Sequence, residues 1–232
     1  NMVILRWKFF TVYCFLLFPS LSLFAQDTLI RWEPVRQLTT DTLFKLGSNI
    51  ASQDSFVYVF YACSPGPLFS KRSSDYGSTW GTPCTLSTYP WTINIDDVKV
   101  CDSIIYLAWV SNDPDSHVIF FFQKSVNHGL TWSLPRFIGR AANAGLGASY
   151  DTIFIVGDLD RNPPPPFGIY LHKSFDGGNN WIRYQLITDS LIFQQGPPSV
   201  LYRDGVLHVV FCRAPYPFKG HNPLLYYIRS TD

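Results

Sequence analysis

An eight-residue pattern recurs along the 232-residue chain. It reads SSDYGSTW at residues 73–80, SVNHGLTW at 125–132 and SFDGGNNW at 174–181, and Ser230-Thr231-Asp232 opens a fourth copy. The first residues of successive copies are 52, 49 and 56 positions apart. A regular period of this length predicts a repeat architecture in which each unit is one supersecondary element.

The residue types of this octet predict a hairpin turn. A carboxylate at the third position accepts backbone N–H bonds from the turn that follows, and Asn127 keeps such an acceptor oxygen in the second copy. Glycine at the fifth position adopts a positive φ, and tryptophan at the eighth offers a large apolar ring to the sheet. We assign structural roles to Ser73, Asp75, Gly77, Trp80, Ser125, Asn127, Gly129, Trp132, Ser174, Asp176, Gly178 and Trp181.

The octet resembles the Asp-box, or bacterial neuraminidase repeat, of sialidase-like β-propellers. The resemblance implies an all-β propeller of four-stranded antiparallel blades, six in the complete ring, although the sequence leaves another blade number open. Blades are expected near residues 41–90, 91–140, 141–190 and 191–232, about three and a half in all. The last expected blade lacks its outer strand, so we expect the chain to be a fragment of a longer reading frame.

A second repeated turn supports this division. The triplets at residues 53–55, 101–103, 150–152 and 203–205 each place an Asp between two apolar runs, which is typical of a hairpin. No segment shows a helical period. Residues 30–40 resemble the strand that follows each octet, and we expect them to close the ring as an outer strand.

The amino terminus predicts export. Arg6 and Lys8 precede an apolar run that ends at Ala25, which is typical of a signal peptide over residues 1–25. A membrane anchor is the alternative, with a proline-containing run at the lower limit of a bilayer span. After cleavage we expect no membrane span, and a secreted, periplasmic or cell-surface location. The disulfide state of Cys63, Cys84, Cys101 and Cys212 stays open, with buried thiols favoured.

The composition of the chain indicates which classes of ligand or partner to expect. The formal charge of +1 gives no electrostatic reason to expect nucleic acid. No Cys/His cluster predicts a metal, and we expect no cofactor. Aromatic residues make up 17% of the chain. In the propeller that the resemblance implies, several of them are expected to lie with arginines in the loops at the end opposite the octets. Aromatic rings and arginines suit a saccharide or an acidic group. We therefore predict ligand contacts from Tyr89, Trp91, Arg140, Arg161, Arg213 and Tyr216.

The resemblance leaves catalysis open. Sialidases hold the substrate carboxylate with three arginines and use an Asp acid/base and a Tyr nucleophile activated by a Glu. Their early aromatic-Arg-Ile-Pro motif is absent here, where residues 31–36 read RWEPVR. The leading hypothesis is a non-catalytic module that binds extracellular glycan or protein. The alternatives are an exo-α-sialidase or related glycoside hydrolase, whose catalytic residues are unknown, and a purely structural repeat array.

Overall fold

The computed structural model describes residues 32–63, 66–115, 117–140, 143–158, 169–187, 192–194, 197–215 and 223–230. The chain divides into two compact units, Asn1–Gln37 and Leu38–Asp232. The predicted signal peptide lies outside the described residues. In the first unit, residues 32–37 form no strand, and Glu33 pairs with Arg36 at 3.5 Å.

The second unit begins with two complete four-stranded sheets. Blade 1 has the antiparallel order β1-β2-β3-β4, and blade 2 has the order β5-β6-β7-β8. The strands of blade 1 are β1 (Lys45–Gln53), β2 (Phe56–Cys63), β3 (Leu68–Ser73) and β4 (Cys84–Ser87). Those of blade 2 are β5 (Thr92–Cys101), β6 (Ile104–Asn112), β7 (Val118–Ser125) and β8 (Arg136–Arg140).

Blade 3 repeats this plan and blade 4 modifies it. The strands of blade 3 are β9 (Ala144–Ser149), β10 (Thr152–Asp158), β11 (Ile169–Ser174) and β12 (Ile182–Ile187). Those of blade 4 are β13 (Ile192–Gln194), β14 (Ser199–Arg203), β15 (Val206–Pro215) and β16 (Leu224–Arg229). The inner position of blade 4 is shared by β13 and β14, because both pair with β15 on the edge opposite β16. The predicted all-β fold with four-stranded antiparallel blades is confirmed.

The blades pack side by side through apolar faces. Their inner strands β1, β5, β9 and β14 contact one another in succession. One buried cluster, including Phe60 and Trp109, lies between blades 1 and 2. A second, including Phe120 and Ile155, lies between blades 2 and 3, and a third, including Val209, lies between blades 3 and 4. Each blade therefore buries its apolar residues only with its neighbours, as expected for a repeat protein.

At one end of the blades, which we call the turn end, the octets of blades 1, 2 and 3 each meet the first hairpin turn of their blade. The fourth residue of each octet donates its backbone N–H to the turn: Tyr76 to Ser55 O at 2.8 Å, His128 to Ser103 O at 2.8 Å, and Gly177 to Asp151 O at 2.9 Å. The opposite end, which we call the loop end, carries the connections between second and third strands and the links between blades.

The register corrects the sequence alignment of blade 3 by one residue. The sequence analysis aligned Asp151 with Asp54 and Asp102, but Tyr150 has the positive φ of 46° that matches their 52°. Ile153, three residues after Tyr150, pairs with Ser174, and Ile105 pairs with Ser125 three residues after Asp102. Ile153 is fully buried, so core packing of this strand decides the register and overrides the preference of Asp for the turn.

Three further expectations concern the termini and the thiols. Residues 32–40 form no strand, and their ring-closing role stays a prediction. Cys63, Cys84, Cys101 and Cys212 are free thiols, of which Cys63 is buried. Among the described residues, no helix has the length and apolar character needed to cross a membrane.

Candidate functional site

The octet side chains at the turn end hydrogen-bond within their own turns. Asp75 Oδ1 accepts the backbone N–H of Thr79 at 2.8 Å, and Asp75 Oδ2 accepts the Thr79 hydroxyl at 2.6 Å. Ser73 Oγ accepts the N–H of Gly77 at 2.9 Å and donates to Asp75 Oδ1 at 2.7 Å. Hydrogen bonds from the side chain and backbone of Thr79, and then from Ser73, lower the pKa of Asp75 to about 2.

The other two octets form equivalent hydrogen bonds with different residue types. Asn127 Oδ1 accepts the N–H of Thr131 at 2.9 Å, and Asp176 Oδ1 accepts that of Asn180 at 2.8 Å. In the second octet Asn127 Nδ2 donates to Thr131 Oγ1 at 2.8 Å, so that bond runs in the opposite direction from the one in the first. The third-position side chains of the three octets therefore bind their own turns, which is a structural role.

The loop end of blade 2 brings together an exposed aromatic pair. Trp91 precedes β5, is 45% exposed, and meets Tyr89 in a T-shaped contact with ring centroids 6.4 Å apart. The Tyr89 ring packs against the ring of Phe121, with 5.4 Å between ring centroids. The Tyr89 backbone is fixed by Thr92 Oγ1, which donates to Tyr89 O at 3.1 Å. The fixed Tyr89 ring therefore supports an indole whose surface is open to solvent.

A charged cluster lies at the same end of the blade. Asn112 N donates to Trp91 O at 3.1 Å, which places the loop after β6 beside the tryptophan backbone. In that loop Asp113 contacts His117 Nδ1 at 3.1 Å through Oδ2, and the same oxygen is 3.5 Å from Arg140 Nη2. Ile119 pairs with Arg140, so the sheet register places the arginine beside this loop.

The carboxylate of Asp113 accepts several hydrogen bonds within its own loop. Oδ1 accepts the backbone N–H groups of Asp115 at 3.0 Å and His117 at 2.8 Å. Burial acts to raise the pKa of Asp113, but the hydrogen bonds and the charge of His117 outweigh it and lower the pKa below its ordinary value. Asp113 thus serves as a hydrogen-bond acceptor for its own loop.

A groove of about 480 Å³ lies beside Tyr89. Its walls combine the hydroxyl-bearing residues Thr85 and Thr88 with the apolar residues Pro90 and Leu134. A sugar ring presents C–H groups on its faces and hydroxyl groups at its edge. Walls that combine hydroxyl and apolar groups next to aromatic rings therefore suit a sugar.

One group of three potential metal ligands occurs within the described parts of the chain. Ligand atoms of Asp113, Asp115 and His117 lie within 4.8 Å of one another. Asp113 is already engaged by two backbone N–H groups and by the cation of Arg140. The trio therefore serves as a hydrogen-bonded turn.

Two carboxylates on the inner strand of blade 2 bind the next blade. Asp96 Oδ2 accepts the N–H of Ala144 at 2.8 Å, and Asp97 Oδ2 accepts that of Leu146 at 2.9 Å. A bulge between Ile95 and Asp97 lets both carboxylates face blade 3. The pair stabilises the contact between inner strands, which is a structural use of acidic residues near the propeller axis.

Three of the six predicted ligand residues lie together at the loop end of blade 2, namely Tyr89, Trp91 and Arg140. Arg213 belongs to β15, and its side chain lies outside the described residues, as do Arg161 and Tyr216 entirely. The sequence analysis missed Asp113 and His117. Their pattern, Asp-x-Asp-x-His directly after an apolar strand, was the signal that could have found them.

Solved structures share this fold. An α-L-arabinanase from Penicillium chrysogenum, complexed with arabinobiose, matches with a TM-score of 0.55 and 16% identity over 81% of this chain and 63% of its own. A Dyadobacter fermentans protein of unknown function matches with a TM-score of 0.60 and 18% identity over 83% of this chain and 67% of its own. An ulvan lyase, a polysaccharide lyase, matches with a TM-score of 0.58 and 14% identity over 79% of this chain and 55% of its own.

These similarities show the fold alone: a β-propeller of the kind found in glycoside hydrolases. The chain spans only 63% of the arabinanase and 55% of the lyase. No protein-family model matches the sequence, and no curated protein does. The more specific sialidase resemblance of the octets stays a prediction.

Proposed function

We propose that this chain is an exported, non-catalytic glycan-binding propeller that holds saccharide at the loop end of blade 2. The observation that carries the proposal is the exposed indole of Trp91, which contacts the ring of Tyr89, a residue that lines the groove. An indole face stacks on the C–H face of a sugar ring, and the groove supplies hydroxyl partners.

The charged cluster with Arg140 favours ligands that carry an acidic group. Arg140 is half exposed, so part of its guanidinium remains open for a ligand carboxylate or sulfate although Asp113 lies beside it. One similar structure is an arabinanase complexed with arabinobiose and another is an ulvan lyase, so carbohydrate ligands are compatible with this fold. We place neutral arabino-oligosaccharides and acidic oligosaccharides first among ligands to test.

Binding is tested by isothermal titration with arabinan, ulvan and sialylated oligosaccharides. Trp91→Ala should weaken binding of the ligand at least about tenfold, because aromatic residues often dominate a binding site. The matched control is Tyr76→Ala, which removes an aromatic ring that is 78% exposed at the turn end. Equal affinities for the wild type and Trp91→Ala would refute the site, and loss in Tyr76→Ala alone would move it to the opposite end.

The competing function is a glycoside hydrolase, including an exo-α-sialidase, and the fold shared with the arabinanase favours it. Acid/base catalysis needs a carboxyl group free to exchange a proton. Asp113 accepts two backbone N–H groups of its own loop, and Asp96 and Asp97 accept backbone N–H groups of the next blade. Release of dye from a fluorogenic sialoside or arabinoside would overturn the non-catalytic proposal, whatever the binding data.

A further inference from the structure

A leucine at the groove beside Tyr89 is held in solvent. Leu134 follows the second octet, is 87% exposed, and lines the groove together with Pro135. Single exposed leucines are common on protein surfaces. The significance of this one therefore depends on what fixes it there and on the chemistry of the groove around it.

The backbone on both sides of Leu134 is fixed. Ser133 N donates to Lys124 O at 2.8 Å, and Ser133 Oγ accepts the N–H of Lys124 at 3.0 Å. Gln123, which is fully buried, donates from Nε2 to Ser133 O at 3.0 Å. On the other side, Pro135 restricts the residue before it to an extended backbone. A ligand that covers Leu134 therefore has little backbone to order, which favours binding.

The same glutamine also holds the side of the groove that blade 1 provides. Gln123 Nε2 donates to Leu86 O, on β4, at 2.9 Å, and Leu86 is a groove residue. Gln123 Oε1 accepts the indole N–H of Trp109 at 2.9 Å, which orients the amide. One buried side chain thus bonds to both sides of the groove, so the groove is formed before any ligand arrives.

The two sides of the groove differ in chemistry. Blade 2 contributes the apolar side chains of Leu134 and Pro135. A sugar hydroxyl placed against these side chains would lose hydrogen bonds to water and gain none in return. The blade 2 side therefore favours a carbon group over a hydroxyl. Blade 1 and its link to blade 2 contribute three hydroxyl-bearing residues, Thr85, Ser87 and Thr88.

Blade 1 shows that the fold does not need a leucine at this position. Gly81 N donates to Arg72 O at 2.9 Å, as Ser133 N donates to Lys124 O, so Thr82 corresponds to Leu134. Thr82 also precedes a proline. Because the same backbone bond forms with threonine at the next position, the leucine of blade 2 is free to serve binding.

We propose that the groove selects sugars that carry a methyl group, which packs on Leu134 and Pro135. The ring hydroxyls of such a sugar face the hydroxyl-bearing side of the groove. The methyl group is either the C6 methyl of a 6-deoxyhexose or the acetyl methyl of an N-acetylated sugar. This inference rests on the proposed glycan-binding function and adds the chemical class of the sugar.

The test compares sugars that differ at one group. L-Fucose lacks the C6 hydroxyl of L-galactose, and L-rhamnose lacks that of L-mannose. N-acetylglucosamine carries an acetamido group where glucose carries a hydroxyl. Isothermal titration of the full chain should give about fivefold tighter binding, or more, for the methyl-bearing member of at least one pair. The pair that shows the difference identifies the source of the methyl group. Equal affinities within all three pairs, or no binding of any of these sugars, would overturn the proposal.

Two leucine substitutions in blade 2 locate the effect. Leu134→Thr introduces the residue found at the corresponding position of blade 1. The matched control is Leu130→Thr, which changes a leucine that is 63% exposed in the octet at the turn end. The preference for the methyl-bearing sugar should be lost in the first variant and kept in the second, with both melting temperatures near that of the wild type. A preference that survives Leu134→Thr would place the methyl group elsewhere and contradict the proposal.

Saturation-transfer NMR on the unsubstituted chain measures the contact directly. The methyl protons of the bound sugar should receive the largest transfer, and Trp91→Ala should reduce the transfer to all protons of the sugar. Uniform transfer to all sugar protons in the wild type would overturn the methyl contact and leave the glycan site in place. Full transfer retained in Trp91→Ala would instead refute the glycan site on which this inference rests, so the two failures are distinguishable.

Discussion

The two ends of the blades use polar residues in opposite ways. At the turn end the same hydrogen bonds recur in three octets, and the six described non-glycine residues with positive φ all lie there. They are Asp54, Tyr76, Asp102, His128, Tyr150 and Asp204. At the loop end of blade 2, Trp91, Asp113, His117 and Arg140 form an arrangement that does not recur among the described residues. At the turn end, repeated bonds tie each of the three octets to a hairpin turn, whereas the loop end of blade 2 is where we place the proposed ligand.

The largest expected effect tests whether the octet glycines anchor one blade to another. Gly77, Gly129 and Gly178 share the fifth octet position and have φ values of 85°, 77° and 85°. A Cβ would lie 3.8 Å from Trp80 at Gly77, 3.3 Å from Ile105 at Gly129, and 2.4 Å from the Phe122 ring at Gly178. The backbone strain is therefore shared, whereas the steric conflict increases along the series.

Substitution of each glycine by alanine should follow that series. We expect Gly77→Ala to cost about 1–2 kcal/mol of unfolding free energy through strain alone. Gly178→Ala should cost about 3–5 kcal/mol because the methyl group also displaces the Phe122 ring, and Gly129→Ala should fall between. Urea unfolding with a constant slope measures this. If Gly77→Ala proved the most harmful of the three, the octets would not anchor neighbouring blades as described.

The next effect uses the difference between Asp and Asn in the octets. Hydrogen bonds, first from Thr79 and Ser73 to Asp75, and from Asn180 and Ser174 to Asp176, lower both pKa values to about 2. The folded pKa lies below the unfolded value of about 3.9, so this stability is complete above pH 4 and is lost as the pH falls towards 2. The third position of the second octet is Asn127, which carries no carboxylate.

The double variant Asp75→Asn and Asp176→Asn should therefore lose less stability than the wild type between pH 4 and pH 2. His172 supplies an internal control, since burial, and then the charge of Arg183, lower its pKa to about 4. Its contribution is lost between about pH 6.5 and pH 4, and the two substitutions should leave that part of the curve unchanged. Parallel curves for both proteins below pH 4 would show that the octet carboxylates do not control acid stability.

The sequence predicted local features well because their chemistry is local. Asp75 and Thr79 are four residues apart, so the octet alone contains both partners of the bond. Tyr150 was misaligned because its turn register depends on packing of Ile153 in the core. Arg140 and Asp113 are 27 residues apart, and only the register of three strands brings them together. The division of the inner position of blade 4 between β13 and β14 likewise has no signal in the turn pattern.

The smallest effect on stability is expected from a substitution at the loop end, and it tests whether the loop end differs from the turn end. The Arg140 side chain is 50% exposed and its contact with Asp113 is long, at 3.5 Å, so Arg140→Ala should change the unfolding free energy by less than about 1 kcal/mol. Asp113→Ala should be more harmful, because it removes the acceptor of two backbone N–H groups in a tight turn. Thermal melts of both variants at low and at high salt separate the two roles.

If Arg140 binds a ligand, its loss should weaken binding of an acidic oligosaccharide more than of a neutral one, while the melting temperature stays near that of the wild type. A large drop in melting temperature for Arg140→Ala would instead make the loop end a structural element like the turn end, and the contrast between the two ends would fail.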